Sequence, residues 1–251
     1  MRGLFLLVFF IPSLLHTQNK LPYIVGEHLE FAIYFGGIKV GSADLSVESR
    51  KEIEGIPTFH IVGKGKTSKF FDWFFKVRDV YETYLDTALI LPVQFIRDVY
   101  EGGHEIKQRY FFRHTENRVF SEDTSYIISQ DSQDMLSAFF YARNFRKPKL
   151  MQNKSFFVPI FMDEENYLLE ILYLYEETIR TNFGEVNCMV FKPKMQEGRV
   201  FKEEESMKIW ISNDKNRLLI KAEVEIWAGT IKANLIGYQK TKYPLSIIKE
   251  H

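Results

Sequence analysis

The sequence predicts an all-β, mainly antiparallel protein: a curved sheet, barrel or half-barrel of about a dozen strands with one short helix. Three observations carry that expectation. Between Met207 and Leu235, three runs of alternating apolar and polar residues are separated by turn residues, the pattern of an antiparallel meander. Turn signals recur at intervals of roughly 8–12 residues along most of the chain. Only one segment, near residues 133–144, has helical spacing, too little for the alternating strands and helices of a parallel sheet.

The first residues are read apart from the fold. Arg2 supplies a positive start and residues 4–15 an apolar run, shorter than the about 20 residues a membrane-spanning helix needs. Residues 1–18 are therefore expected to be a signal peptide, cleaved near Thr17 or Gln18. That leaves residues 19–251 as a single β-rich exported domain, with room for a two-lobed shape. The expected location is the periplasm or cell envelope, with no integral membrane span once the signal is removed. Cys188 is the only cysteine, so no intramolecular disulfide forms and the core alone holds the fold. Within Val186-Asn187-Cys188-Met189-Val190 it reads as a small buried apolar residue.

The strands follow in order. Leu29, Phe31, Ile33 and Phe35 alternate with Glu30, Ala32 and Tyr34 before the Gly36-Gly37 turn, and Ile38, Val40, Leu45 and Val47 return as the second strand. Residues 52–57 turn the chain into a strand over residues 58–65, where Gly63 and Gly65 suggest a bulge or a close backbone approach. Residues 67–75 break the alternation and suit a helical turn. Alternation resumes at Val77, Asp79, Tyr81, Thr83 and Leu85; a strand from Leu91-Pro92 then runs to the Gly102-Gly103 turn, and another follows over residues 106–113. The helix is expected over residues 133–144, capped by Asp131 or Ser132, with Asp134 favouring its positive end and its apolar face on the sheet. After a basic stretch at residues 146–154, strands are expected at 155–162, 167–179, 184–193 and in the final meander, where Trp210 and Trp227 should pack on or edge the sheet.

Lys221, Glu223 and Glu225 line one face of the meander's central strand, which a membrane barrel could turn to its lumen. The charged C-terminal residues and the central helix argue against that alternative.

Composition excludes little but excludes it usefully. Lys plus Arg and Asp plus Glu both number 33, so no net field draws nucleic acid or an anionic membrane, although a local patch survives a neutral total. None of the six histidines pairs with another at metal-ligand spacing, and His60 reads as a satisfied strand histidine. Ser42 lacks the setting of a nucleophile elbow, and residues 63–68 lack the spacing of a phosphate loop. Asp79 and Glu82 fall on opposite faces of one strand. Catalytic residues, metal ligands and cofactors are therefore all expected to be none. The protein reads as non-enzymatic, with a hydrolase assembled from distant residues as a lesser alternative.

The segment with functional content is Phe70, Phe71, Trp73, Phe74 and Phe75. It carries more apolar surface than one sheet edge usually hides. Core packing is the plainer reading; a lid over a cavity or a partner-binding surface is the functional one.

Four stretches together resemble a known family. They are residues 26–31 (Gly-Glu-His-Leu-Glu-Phe) with 36–41; Val77-Arg78-Asp79 through Leu91-Pro92-Val93-Gln94-Phe95 to Glu101-Gly102-Gly103; Asp134-Met135-Leu136-Ser137 with Tyr141-Ala142-Arg143; and Ile209-Trp210-Ile211-Ser212 through Gly229. The chain resembles domain-of-unknown-function family 3108, exported bacterial proteins of the cell envelope. The resemblance implies a β-rich exported protein without an assigned catalytic site. A looser likeness, of architecture alone, is to the half-barrels of periplasmic lipoprotein carriers, whose concave face holds acyl chains. Two functional readings follow: binding of a lipid-like or other apolar small molecule on a curved sheet, or assembly work through contact with an envelope protein.

Overall fold

The computed structural model describes residues 21–145, 154–195 and 206–248. The expected signal peptide at residues 1–18 and most of the basic stretch at 146–154 lie outside the described residues. The strands are β1 (His28–Phe35), β2 (Ile38–Ile53), β3 (Ile56–Thr67), β4 (Val77–Asp86), β5 (Pro92–Glu101), β6 (His104–Arg113), β7 (Arg118–Phe120) and β8 (Ser125–Ile127). Helix α1 (Met135–Ala142) follows, and then β9 (Ser155–Met162), β10 (Glu165–Thr181), β11 (Gly184–Met195), β12 (Ser206–Ser212), β13 (Leu219–Ile226), β14 (Gly229–Gln239) and β15 (Ile247–Ile248). The all-β expectation stands, with 15 strands among the described residues against the expected dozen or so.

All strands join one antiparallel sheet in the order β8-β7-β6-β5-β4-β3-β2-β1-β14-β13-β12-β11-β10-β9, with β15 beside β11. Because β1 pairs with β14, the first and last long strands lie at the centre, and the strands flanking α1 in sequence form the two edges. Those edges approach each other. Gln133 bridges to β9 through its N–H on the Pro159 carbonyl (2.8 Å) and its own carbonyl, which accepts from Phe161 N–H (2.8 Å). The Asn166 amide donates to the Ile127 carbonyl (2.8 Å) and accepts from Ser129 N–H (3.1 Å), as a neighbouring strand would. Phe161 of β9 packs with Phe95, Tyr110, Phe112 and Val119 from the opposite end of the sheet. The rolled sheet is thus closed by the Gln133 backbone, the Asn166 side chain and the Phe161 ring where the strand ladder stops, which covers backbone groups an open edge leaves unpaired.

Helix α1 fills one end of this barrel-like body. Ala138 packs among Val158, Ile160, Ile171 and Met189, while Phe140 joins Tyr23, Val47, Ile61 and Leu85. Gly63 faces the helix without being required there: a Cβ would meet the Leu136 side chain at 3.5 Å, an ordinary contact, so this glycine marks neither a bulge nor a tight approach. The ladder irregularity in that hairpin falls between Val47 and Ser49. Strand β11 is buried on both faces, with Val186, Cys188 and Val190 on one core cluster and Met189 and Phe191 on another, which explains its nearly unbroken apolar run.

One local expectation is corrected. The N-cap of α1 is Asp134, not Asp131 or Ser132: its Oδ1 accepts from Leu136 N–H (2.8 Å) and Ser137 N–H (2.7 Å), and Ser137 Oγ accepts from Asp134 N–H (2.8 Å). Residues 131–133 are drawn instead into the seam with β9, so the helix starts later and is shorter than its periodicity suggests. No helix among the described residues is long and apolar enough to cross a membrane.

Candidate functional site

In an antiparallel sheet alternate connections share an end. The β1–β2, β3–β4, β5–β6 and β13–β14 connections therefore emerge together, and their strands are contiguous in the sheet. The β3–β4 connection is the aromatic segment. A 3-10 turn at Phe71–Trp73 forms through Phe71 and Asp72 N–H groups on the Ser68 carbonyl (2.9 and 3.0 Å), and the Phe71 carbonyl accepts from Phe74 (2.9 Å) and Phe75 (3.0 Å).

The polar residues of this loop point back toward the sheet. Asp72 takes a two-pronged bond from Arg78 (2.9 and 2.6 Å) and another from the Thr67 hydroxyl (2.6 Å), which in turn accepts from Val77 N–H (3.0 Å). The Arg78 hydrogen bonds hold the Asp72 carboxyl below its ordinary range. With the charged side chain tied down, the aromatic ones face outward: Phe70, Trp73, Phe74 and Phe75 are 73%, 83%, 67% and 54% exposed, and Phe71 is half-buried. Edge-on contacts between Phe70 and Phe71 (5.2 Å) and between Trp73 and Phe74 (4.6 Å) tie the rings together. The core-packing reading of this segment does not hold.

Neighbouring turns extend the patch. Trp227 at the β13–β14 turn is 92% exposed and Ile38 at the β1–β2 turn 62%. A Cβ on Gly229 would touch the Phe35 ring at 3.4 Å, and one on Gly102 would collide with the Phe75 ring. Aromatic contacts thus run along the rim from the β13–β14 turn to β1 and from the β3–β4 loop to the β5–β6 turn. Sequence reading missed Ile38 and assigned Trp227 to the sheet. The available signal was position: Trp227 stands at a hairpin tip before Ala228-Gly229, where no neighbouring strand lies beneath it.

Beneath α1 there is little room. The cavity beneath α1, lined by Phe139, Phe156, Ile171, Met189, Phe191 and Ile211, measures about 40 Å³. That accommodates about one water, whereas ligand pockets run to hundreds of Å³. At the opposite end from the aromatic rim, an open cleft of about 780 Å³ lies among Leu21, Leu89, Tyr141, Lys215, Arg217 and Tyr243.

Polar groups inside the sheet are mostly in structural pairs. His60 Nε2 lies 2.6 Å from Glu82 Oε2, and its ring stacks on Tyr84, the satisfied strand histidine its neighbours suggested. Arg97 is buried against Gln108 and Asp163. Burial, then the neighbouring Glu101, pushes the Asp79 carboxyl up to about 6. Among the described residues, no group of three or more His, Cys, Asp or Glu side chains could hold a metal ion.

The fold is similar to a beta-barrel-like protein of domain of unknown function DUF1849 from Brucella abortus, with a TM-score of 0.57 at 8% identity over 86% of this chain and 98% of that one. At that identity the likeness is one of fold alone. A candidate lipoprotein from Parabacteroides distasonis matches with a TM-score of 0.38 at 12% identity, over 87% of this chain and 97% of that one. A candidate exported protein with a YmcC-like fold from Bacteroides fragilis matches with a TM-score of 0.36 at 10% identity, over 88% and 98%. Both are too distant in geometry to bear on function. Comparison with curated proteins finds no match. The family described as Protein of unknown function (DUF3108) matches residues 30–236, through the sheet and the helix that fills it, and the chain belongs to that family.

Proposed function

We propose that this chain is a non-enzymatic exported protein of the cell envelope, a single domain freed from residues 1–18, that acts by docking its aromatic rim on an apolar surface. The observation that carries the reading is the inverted polarity of the β3–β4 loop. Asp72 is tied back to Arg78 and Thr67 while Trp73 and Phe74 stand in solvent, an arrangement that costs hydration free energy unless something covers the rings. The cavity beneath α1, about 40 Å³, is too small to enclose an apolar small molecule, which favours contact at the rim.

A photo-crosslinking residue at position 73 in living cells tests this, with one at Glu116, on an exposed turn at the other end, as control. Abundant adducts, to protein or lipid, from position 73 alone support the rim as the working surface. Equal yields from both positions would remove it.

A further inference from the structure

Resting on that reading of the rim, we infer that its partner is a lipid bilayer with anionic headgroups. Phe70, Trp73, Phe74, Ile38 and Trp227 enter the interfacial layer, and a collar of lysines meets the headgroups.

Shape is the first argument. The apolar side chains sit on separate hairpin tips rather than around a groove. From the β13–β14 turn to the β3–β4 loop is four strand spacings, or about 19 Å along the rim. Anchors spread over that distance match an extended surface, not one small molecule. Protruding tips are suited to insertion, whereas a surface built to receive a partner's anchor residue would offer a pocket.

Chemistry is the second. Trp and Phe are the side chains favoured where hydrocarbon meets headgroups, because a ring with a polar edge or a polarisable face suits both layers. The rim carries two of the chain's three Trp residues, the third, Trp210, being buried.

Charge is the third. Lys39, Lys66 and Lys69 are exposed at this end and form no ion pair among the described residues, and Lys76 lies over the Tyr100 ring at 5.2 Å. Of the carboxylates near these hairpins, Asp72 is neutralised by Arg78 and Glu223 by Lys221 and Lys232, which leaves Glu101, Glu105 and Glu225, with Asp79 partly buried beside Glu101. The stretch of rim around the aromatic loop, on β2, β3 and the β3–β4 connection, is therefore locally basic, with Lys39, Lys66, Lys69 and Lys76 all exposed, although the whole chain is neutral. Lysines beside interfacial aromatics give attraction to an anionic leaflet that weakens with salt.

The experiment uses protein recovered after export, its N-terminus verified by mass, with vesicles of phosphatidylcholine alone or with one third phosphatidylglycerol. The expected result is flotation with the anionic vesicles and a blue shift of tryptophan emission. Binding should fall at least tenfold in Trp73→Ala/Phe74→Ala, several-fold in Trp227→Ala, and on anionic vesicles only in Lys66→Glu/Lys69→Glu. These side chains are exposed, so circular dichroism and thermal unfolding should match the parent. Absence of vesicle binding, or binding unchanged by the aromatic substitutions, overturns the membrane assignment. If position 73 then still crosslinks to one defined protein, docking through the rim stands with a protein partner. If it crosslinks to nothing above control, both readings fail.

Discussion

Arg143, the C-cap of α1, and Glu27, at the head of β1, form a buried two-pronged ion pair across 116 residues, with Nη1–Oε1 2.5 Å and Nη2–Oε2 3.0 Å. Arg143 also donates to the Asn216 carbonyl from Nε (3.2 Å) and Nη2 (2.9 Å), and stacks its guanidinium over Tyr23, Phe139 and Phe140. One side chain thereby fastens the helix to the first strand and to the loop before β13. Removing either partner leaves a buried charge, so Arg143→Met and Glu27→Ala should each cost about 3–5 kcal/mol in urea unfolding. The double variant should cost less than the sum of the two, because neither charge is then stranded. Additive losses would show that the pair is not coupled.

The N-cap of α1 predicts a pH dependence. Asp134 is buried, accepts from the Thr83 hydroxyl (2.6 Å), and is pushed by desolvation from an ordinary 3.8 up to about 6. Its folded-state value lies above its unfolded one, so its contribution to stability is fully present below about pH 4 and is lost as pH rises through about 6. Asp79, also raised to about 6, acts in the same direction. Asp134→Asn, which keeps one acceptor for the cap, should flatten the stability profile between pH 4 and 6, by no more than about 3 kcal/mol. Denaturant midpoints across that range check it; an unchanged slope would mean Asp134 titrates normally.

Cys188 should behave as a reporter of unfolding. Burial pushes its thiol up to about 12, and it is fully enclosed between Val186 and Val190 in the core. A colourless thiol reagent such as an aromatic disulfide should label it only as fast as the barrel opens, with full reaction in denaturant. Rapid labelling of the native protein at pH 8 would contradict the packing described.

The aromatic loop depends on its polar root. Asp72→Ala frees Arg78 and the Thr67 hydroxyl and releases the 3-10 turn, so chymotrypsin should cleave within residues 70–75 several-fold faster than in the parent. The thermal midpoint should move little, since no buried cluster loses a member. A large drop in midpoint would mean the loop is part of the core after all.

Much of the architecture was legible because it is local. Alternation and paired glycines mark β1, β2, β5 and β6 within a few residues, and Cys188 announced its burial through its neighbours. The N-cap was misread because Asp131, Ser132 and Asp134 are all competent caps. Only the pairing of Gln133 with Pro159 and Phe161, residues distant in sequence, decides among them.

The candidate site divides the same way. Composition singled out Phe70, Phe71, Trp73, Phe74 and Phe75 because five aromatics in six residues break the strand period, yet period alone does not tell core from surface. Exposure follows from where the loop lies on the rolled sheet and from the Arg78–Asp72 bond beneath it. Ile38 joins the patch through the β2–β3 pairing, and Trp227 only because β1 pairs with β14, which sets hairpins separated by almost the whole chain side by side. Local chemistry, then, was settled by the sequence: strand period, the turns, the lone thiol and the aromatic excess. Closure of the sheet at Asn166, the helix clamped by Arg143 and Glu27, and the shared rim belong to the tertiary structure, because each requires groups far apart in the chain to meet.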